Sequence, residues 1–309
     1  MKSLKVCGII LFICVFLTGC SFLTDIFGQN VENFVEYERT ETVPLPKEIS
    51  TVVYLNKTYD IYEEAGKPGD ESYLVVKNLA DETEEIIFQG NLGHDIERVF
   101  VDKEKQRFYY TLCSWREDYG NTYLLSYDLA AMQNISKTLI FGSSEYGEGF
   151  IMGMLFDETH GRIIFEAHYN LDEQEYDFDG RDYLSFDVEA EKIEKISQNT
   201  YEEAFANLNT RNNPSAIYEG PNFTKMLFDV YLYDGPFDLH NAYYKPKYAG
   251  AYVNDGKNNI RVSKNQIAIG SCTFWLEDGK YVISGSYIYD TSGKMFERKI
   301  TDGEILAIY

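Results

Sequence analysis

Positive charge is scarce in this chain of 309 residues: 28 Lys and Arg stand against 50 Asp and Glu, for a net charge of −22. So acidic a molecule repels phosphate backbones and anionic lipid surfaces over most of its exterior, which argues against nucleic-acid binding. Histidine occurs four times, at 94, 160, 168 and 240, with no metal-ligand neighbour at helical spacing. Also missing are a Gly-x-Ser-x-Gly elbow, a phosphate loop ending in Gly-Lys-Ser/Thr, a His-Glu-x-x-His helix and paired Cys-x-x-Cys motifs. Gly147 to Gly153 departs from the dinucleotide fingerprint by one residue and falls between strands. The common hydrolase, nucleotide and zinc chemistries therefore have no sequence support. What is present is apolar and aromatic: 44% hydrophobic residues, with 26 Tyr and 20 Phe against two Trp. That is enough to bury a sizeable core, and its bias is toward strands.

The apolar run Val6 to Leu17 follows Lys2 and Lys5 and is too short to cross a bilayer as a stable helix, so it reads as a signal peptide. It ends in Leu17-Thr18-Gly19-Cys20, which resembles the lipobox of bacterial lipoproteins. The resemblance implies cleavage before Cys20, lipidation of Cys20 and attachment to the extracytoplasmic face of the cell membrane. Two or three acyl chains hold a protein to a membrane durably, where one chain is marginal. Cleavage would remove two Lys and no acid, leaving 26 minus 50, or −24. The expected organisation is a signal peptide at 1–19, the lipidated Cys and a tether at 20–48, and a folded domain at 49–309. Phe22, Leu23, Ile26 and Phe27 would alternatively pack on the domain or lie in the membrane interface. Of five Cys, only Cys113 and Cys272 fall in the folded part. One disulfide and two buried thiols are both open readings, because spacing does not fix spatial adjacency.

The chain repeats itself. Arg98-Val99-Phe100-Val101-Asp102, four residues, then Arg107-Phe108-Tyr109-Tyr110 recurs as Met154-Leu155-Phe156-Asp157, four residues, then Arg162-Ile163-Ile164-Phe165. Phe274 to Ile283 is a third strand–turn–strand, with Asp278-Gly279 as its turn. A second element, a strand ending in Asp or Asn, closes at Asn78, Asp128, Asp187, Asp234 and Asp290. An Asx side chain suits that place because it bonds the backbone of the turn that starts there. Repeated four-stranded units are the mark of a β-propeller, so the expected fold is all-β and β-propeller-like, with about five irregular four-stranded blades and Gly303 to Tyr309 closing the ring. An all-β sandwich is the alternative. Tyr127-Asp128, Phe186-Asp187 and Tyr289-Asp290 look like blades of exported bacterial propellers, the TolB-like and quinoprotein-like groups. That resemblance covers roughly 50 to 300 and concerns architecture; it assigns neither substrate nor cofactor.

Three places carry possible chemistry. His168 lies two residues from Glu166 on one face of a strand, an acid/base or metal pair in one reading and a structural hydrogen bond in the other. The segment Asn170 to Asp182 holds Glu175, Asp177, Asp179 and Asp182, and resembles the opening of an EF-hand calcium loop. Phe186 stands where the bidentate acid would be and Asp182 where an apolar residue would be, so a full EF-hand is excluded. A looser calcium site and a solvated acidic tip both remain. Third, the loops 62–72, 114–121 and 170–182 would converge on one propeller face and bring Trp115, Arg116, Asp118 and Tyr119 beside those acids as a ligand-binding surface.

These features lead to a lipid-anchored, non-catalytic binding module for a protein or glycan of the cell envelope, with calcium as the one possible cofactor. The alternative is a propeller-type glycoside hydrolase using two axial carboxylates. A bridging role between other lipoproteins is a third option, and would require large apolar patches.

Overall fold

The computed structural model describes residues 33–57, 71–91, 94–96, 98–114, 121–142, 149–170, 180–207, 214, 217–220, 224–230, 249–265 and 272–309. Two short strands, β1 (Phe34–Val35) and β2 (Glu41–Thr42), precede the repeats. Sheet I holds β3 (Thr51–Lys57), β4 (Glu71–Asn78) and β5 (Glu84–Asn91). Sheet II holds β6 (His94–Asp95), β7 (Val99–Asp102), β8 (Arg107–Ser114), β9 (Asn121–Asp128) and β10 (Gln133–Phe141). Sheet III follows as β11 (Gly149–Asp157), β12 (Arg162–Tyr169), β13 (Gly180–Asp187) and β14 (Lys192–Ile196). After the helix α1 (Gln198–Ala206), sheet IV takes β15 (Ile217–Glu219), β16 (Thr224–Val230), β17 (Gly250–Asn254) and β18 (Asn259–Ser263). Sheet V takes β19 (Thr273–Leu276), β20 (Tyr281–Ser284), β21 (Tyr287–Asp290) and β23 (Arg298–Lys299); the short β22 (Met295–Phe296) lies between the last two in sequence and forms a two-stranded sheet with β2, and the chain ends in β24 (Glu304–Ile308).

Each sheet is built on an antiparallel meander, and two of them gain a strand from far along the chain: β1 joins sheet IV in parallel beside β18, and the order in sheet I is β24-β3-β4-β5. The last strand of the chain takes the end position of the first sheet, beside β3, as the sequence leads one to expect for Gly303 to Tyr309. Gly303 opens that strand so close to β3 that a side chain there would collide with the Leu55 carbonyl. The fold is all-β and propeller-like.

The recurring Asx residue works as its chemistry dictates. Asn78 accepts from the amide of Ala80 at 2.8 Å, Asp128 from Ala130 and Ala131 at 2.9 Å, and Asp187 from Glu189 and Ala190 at 2.8 Å. The Ala190 and Glu189 amides hold the Asp187 carboxyl below its ordinary titration range. Asp290, itself buried, accepts from the amides of Ser292, Lys294 and Met295 and from the Ser292 hydroxyl at 2.6 Å. The unit expected at Asp234 lies outside the described residues. In sheet IV the equivalent third strand is β17, and Asn254 ends it, accepting from Gly256 at 2.8 Å. The repeat thus ends at 78, 128, 187, 254 and 290. Asp187→Ala should cost about 1 kcal/mol, and Asp290→Ala roughly 2 to 3 because its carboxylate is buried and multiply bonded. Urea unfolding of the two variants checks the difference; equal losses would mean that the turn at Asp290 is held by something else.

Apolar side chains join the sheets in a definite series. One cluster links sheet I (Val53, Leu74, Ile305) with sheet II (Val101, Phe108, Tyr110) and sheet V (Phe274, Ile283, Ile288). A second links sheets II and III through Phe100, Tyr109, Phe156 and Phe165; a third links sheets IV and V through Leu227, Val253, Val282 and Tyr289. The packing series is therefore III, II, I, V, IV. The closing strand produces it, because β24 brings the chain's last repeat beside its first. Ile163, Ile164 and Phe165 are all fully buried, which a strand needs when both faces of its sheet are covered. Here sheet II covers one face, and α1, through Tyr201 and Ala204, covers the other. Ser197 caps that helix by accepting from the Thr200 amide at 3.2 Å.

The structure corrects the extent of the tether. Residues 33–48 are a strap laid across sheets IV and V. β1 adds to β18 in parallel, and β2 pairs with β22 in parallel. Phe34 packs edge-on against Tyr252 at 5.0 Å between centroids, and Val43 is fully buried, its amide bonded to the Phe296 carbonyl at 2.9 Å. The physical reason is edge protection: β18 and β22 would otherwise expose unpaired backbone groups, and the strap satisfies them. Among the described residues, no helix is long and apolar enough to cross a membrane.

Candidate functional site

The strap forms one wall of a cleft of 610 Å³, lined by Glu36, Tyr37, Glu38, Arg39, Lys264, Phe296 and Glu297. Arg39 is its structural centre. One guanidinium nitrogen lies 2.9 Å from the Glu297 carboxylate and the other donates to the Arg261 carbonyl at 3.1 Å. The other oxygen of Glu297 accepts from the Ser263 hydroxyl at 2.7 Å and the Asn265 amide at 3.4 Å. The strap is thus pinned through a partly buried carboxylate whose lone pairs are well occupied. Burial pushes the Glu36 carboxyl up, but Lys264 at 3.1 Å and Arg261 at 3.3 Å outweigh it and hold the group below the usual carboxylate range. Two rings stand at the cleft with much of their surface open: Tyr37 is 39% exposed and Phe296 49%. Arg39 lies 6.0 Å from the Phe296 ring centre, and Lys294 lies 5.7 Å from that of Tyr37.

The sites expected from sequence fare differently. Cys20, Trp115, Arg116, Asp118, Tyr119, Glu175, Asp177 and Asp179 lie outside the described residues. Asp182 does not sit in a loop; it belongs to β13, where the Lys195 ammonium is 2.6 Å away. Among the described residues, no group of three His, Cys, Asp or Glu could hold a metal ion. His168 and Glu166 do meet, Nε2 to Oε1 at 2.9 Å, with Phe150 stacked on the imidazole at 5.8 Å. Arg181 lies 3.9 Å from the same carboxylate. Burial, followed by the charge of Glu166 and the hydrogen bond to it, pushes the Tyr201 hydroxyl up to about 12. Tyr201 belongs to α1, so this network fastens the helix to sheet III. His160 sits in a hairpin turn, its Nδ1 2.8 Å from Asp157. Cys113 and Cys272 are both buried and form no disulfide, which is the second of the two open readings.

Sequence reading missed the strap cleft because it assigned residues 20–48 to a tether. One signal was there: Arg39 is the only base between Lys5 and Lys47, placed among Glu36, Glu38 and Glu41. A lone cation in so acidic a stretch marks a position with a partner.

No protein-family model matches the chain, and no curated protein does. Among solved structures it is similar to an uncharacterized protein of Listeria monocytogenes EGD-e, at 13% identity over 89% of this chain and 67% of that one, with a TM-score of 0.32. An oligogalacturonate lyase in complex with manganese aligns at 10% identity over 84% of this chain and 62% of the other, with a TM-score of 0.33. An acylaminoacyl peptidase of Pyrococcus horikoshii aligns at 13% identity over 86% of this chain and 39% of its own length, with a TM-score of 0.32. These likenesses are faint, and nothing about activity follows from them.

Proposed function

We propose that this chain is a lipid-anchored extracytoplasmic protein, held to the cell membrane through Cys20, that serves as a non-catalytic binding module for a protein or glycan of the cell envelope. The observation that carries the reading is the strap cleft, where half-exposed aromatic rings stand beside hydrogen-bonding groups already fixed by the fold. Such a surface recognises a partner without needing a reactive group. The anchor is supported by the ordered signal Lys2, Lys5, the apolar run and Leu17-Thr18-Gly19-Cys20. The described carboxyl groups whose titration is displaced, Glu36, Asp81, Asp157, Asp187 and Asp302, all move downward, opposite to what a glycosidase's general acid requires. The hydrolase alternative gains nothing from them.

The test is expression of the full chain in a bacterium, with mass analysis of the mature N-terminus and crosslinking to purified envelope fractions. A diacylglycerol adduct on Cys20, lost in Cys20→Ala, together with a saturable crosslinked partner, is the expected outcome. An unmodified Cys20 would sink the anchor, and the lack of any saturable partner would sink the binding role.

A further inference from the structure

The strap cleft suits a ligand without net charge, although the whole molecule carries −22. Its ionic groups are matched to one another: Arg39 with Glu297, and Lys264 and Arg261 with Glu36. An anionic ligand would have to displace a carboxylate from one of these cations; Lys294, which stands on the Tyr37 ring, is not among the residues that line the cleft. A basic peptide would find one lining carboxylate, Glu38, that has no ion-pair partner among the described residues. The Arg39–Glu297 pair is largely out of water, so separating it costs more than a new surface pair returns. Matched groups nevertheless keep hydrogen-bonding capacity, since a carboxylate offers about four lone-pair sites and an ammonium three donors. The rings supply the rest. Tyr37 and Phe296 are far more exposed than the chain's core rings such as Phe108, Tyr110 and Phe165, and each has a cation near its ring. A surface that stacks on an apolar face and hydrogen-bonds around its rim without demanding charge matches a sugar ring, which has C–H groups on its faces and hydroxyls at its edge.

We infer that the strap cleft binds a neutral saccharide, stacked on Phe296 and Tyr37, with its hydroxyls bonded to Glu38, Glu36 and Lys264. This rests on the binding-module reading and narrows its ligand class. The volume of 610 Å³ lies within the range of small-ligand sites. The cleft is built from both sides, by the strap at 36–39 and by sheets IV and V at 264 and 296–297, so it exists only while the strap is docked.

The experiment is titration calorimetry of the mature protein in detergent against neutral hexasaccharides of glucose, mannose, xylose, galactose and N-acetylglucosamine, with oligogalacturonate as the charged control. At least one neutral chain should bind, with an affinity little changed between low and high salt. Phe296→Ala and Tyr37→Ala should each weaken it roughly tenfold while leaving the circular dichroism and melting temperature in place. Phe205→Ala, which removes an exposed ring from α1, should leave binding unchanged and so controls for loss of aromatic surface in general. Saccharide binding indifferent to both cleft variants would overturn the assignment of this site. If no neutral chain binds, yet an envelope protein is captured and then lost in Phe296→Ala, the saccharide class is wrong while the binding module stands. Tight, salt-sensitive binding of oligogalacturonate alone would overturn the argument from charge matching.

Discussion

Deleting residues 303–309 should leave a chain that does not fold. The segment contains β24, the strand that joins sheet I beside β3, and four of its residues are buried: Ile305 at 0%, Leu306 and Ile308 at 2%, and Ala307 at 3% exposure. Fully burying an Ile or Leu side chain stabilises by about 1.5 to 3 kcal/mol, so the three large ones contribute roughly 5 to 9. The whole stability of a domain is about 5 to 15 kcal/mol. The deletion also strips backbone bonds at the seam, where the Tyr309 carbonyl oxygen accepts from the amides of Ser50 and Thr51 at 2.7 and 3.1 Å. It further exposes faces of sheets II and V, because β24 touches both β7 and β20. Near-ultraviolet circular dichroism and urea unfolding of the truncated chain provide the check, with Ile305→Ala as the graded companion, expected to fold and to lose about 3 kcal/mol. A cooperative transition with native dichroism in the truncated chain would show that the closure is not what makes the series of sheets stable.

That the ends of the chain should meet was readable, because a repeated unit with one strand too few at its start and one too many at its end has few other ways to satisfy its edges. The hairpins at 98–110, 154–165 and 274–283 were readable for a local reason: aromatic and β-branched residues flank a short polar turn, and the register follows from the turn. Sheet IV was harder. Its third strand, Gly250–Asn254, closes on Val253-Asn254, where β9 and β21 close on Tyr-Asp and β13 on Phe-Asp, so Tyr233-Asp234 matches the repeat better in sequence. The strap was unreadable for a different reason. β1 and β2 are two residues each, too short for any periodicity, and both exist only because strands more than 200 residues away need their edges covered.

The same contrast holds for side-chain chemistry. Glu166 and His168 could be paired from sequence, since residues two apart in a strand share a face. What the pair serves depends on Tyr201, which reaches it from a helix that follows sheet III. The acids and bases of the strap cleft come from 36–39, 261–264 and 297. A sequence shows that a chain holds 28 bases and 50 acids, but not which base sits on which acid. Cys113 and Cys272, buried and not joined in a disulfide, make the same point about distance.

Arg39→Ala should be the most damaging single substitution outside the core, and it should remove binding at the cleft together with stability. The Arg39 side chain is 7% exposed and that of Glu297 15%, so the pair is largely out of water. Removing the guanidinium leaves Glu297 a buried carboxylate held only by the Ser263 hydroxyl and the Asn265 amide. Breaking a buried pair from one side costs about 3 to 5 kcal/mol, most of it the desolvation of the charge left behind. For a folded domain spanning 49–309 that is a fall in melting temperature of roughly 6 to 15 °C. Arg39→Lys should lie between, because an ammonium keeps the charge but cannot reach the Glu297 carboxylate and the Arg261 carbonyl with one planar fork. Replacing both partners, Arg39→Met with Glu297→Met, should recover much of the loss, since no buried charge remains. Amide exchange across β1 and β2 separates the two ways the energy can appear. If the strap is part of the cooperative unit, the melting temperature falls and strap protection falls with it; if the strap opens first, its protection alone collapses and the cleft loses its wall. Unchanged protection at Phe34 to Val43 in Arg39→Ala would refute the claim that this ion pair holds the strap in place.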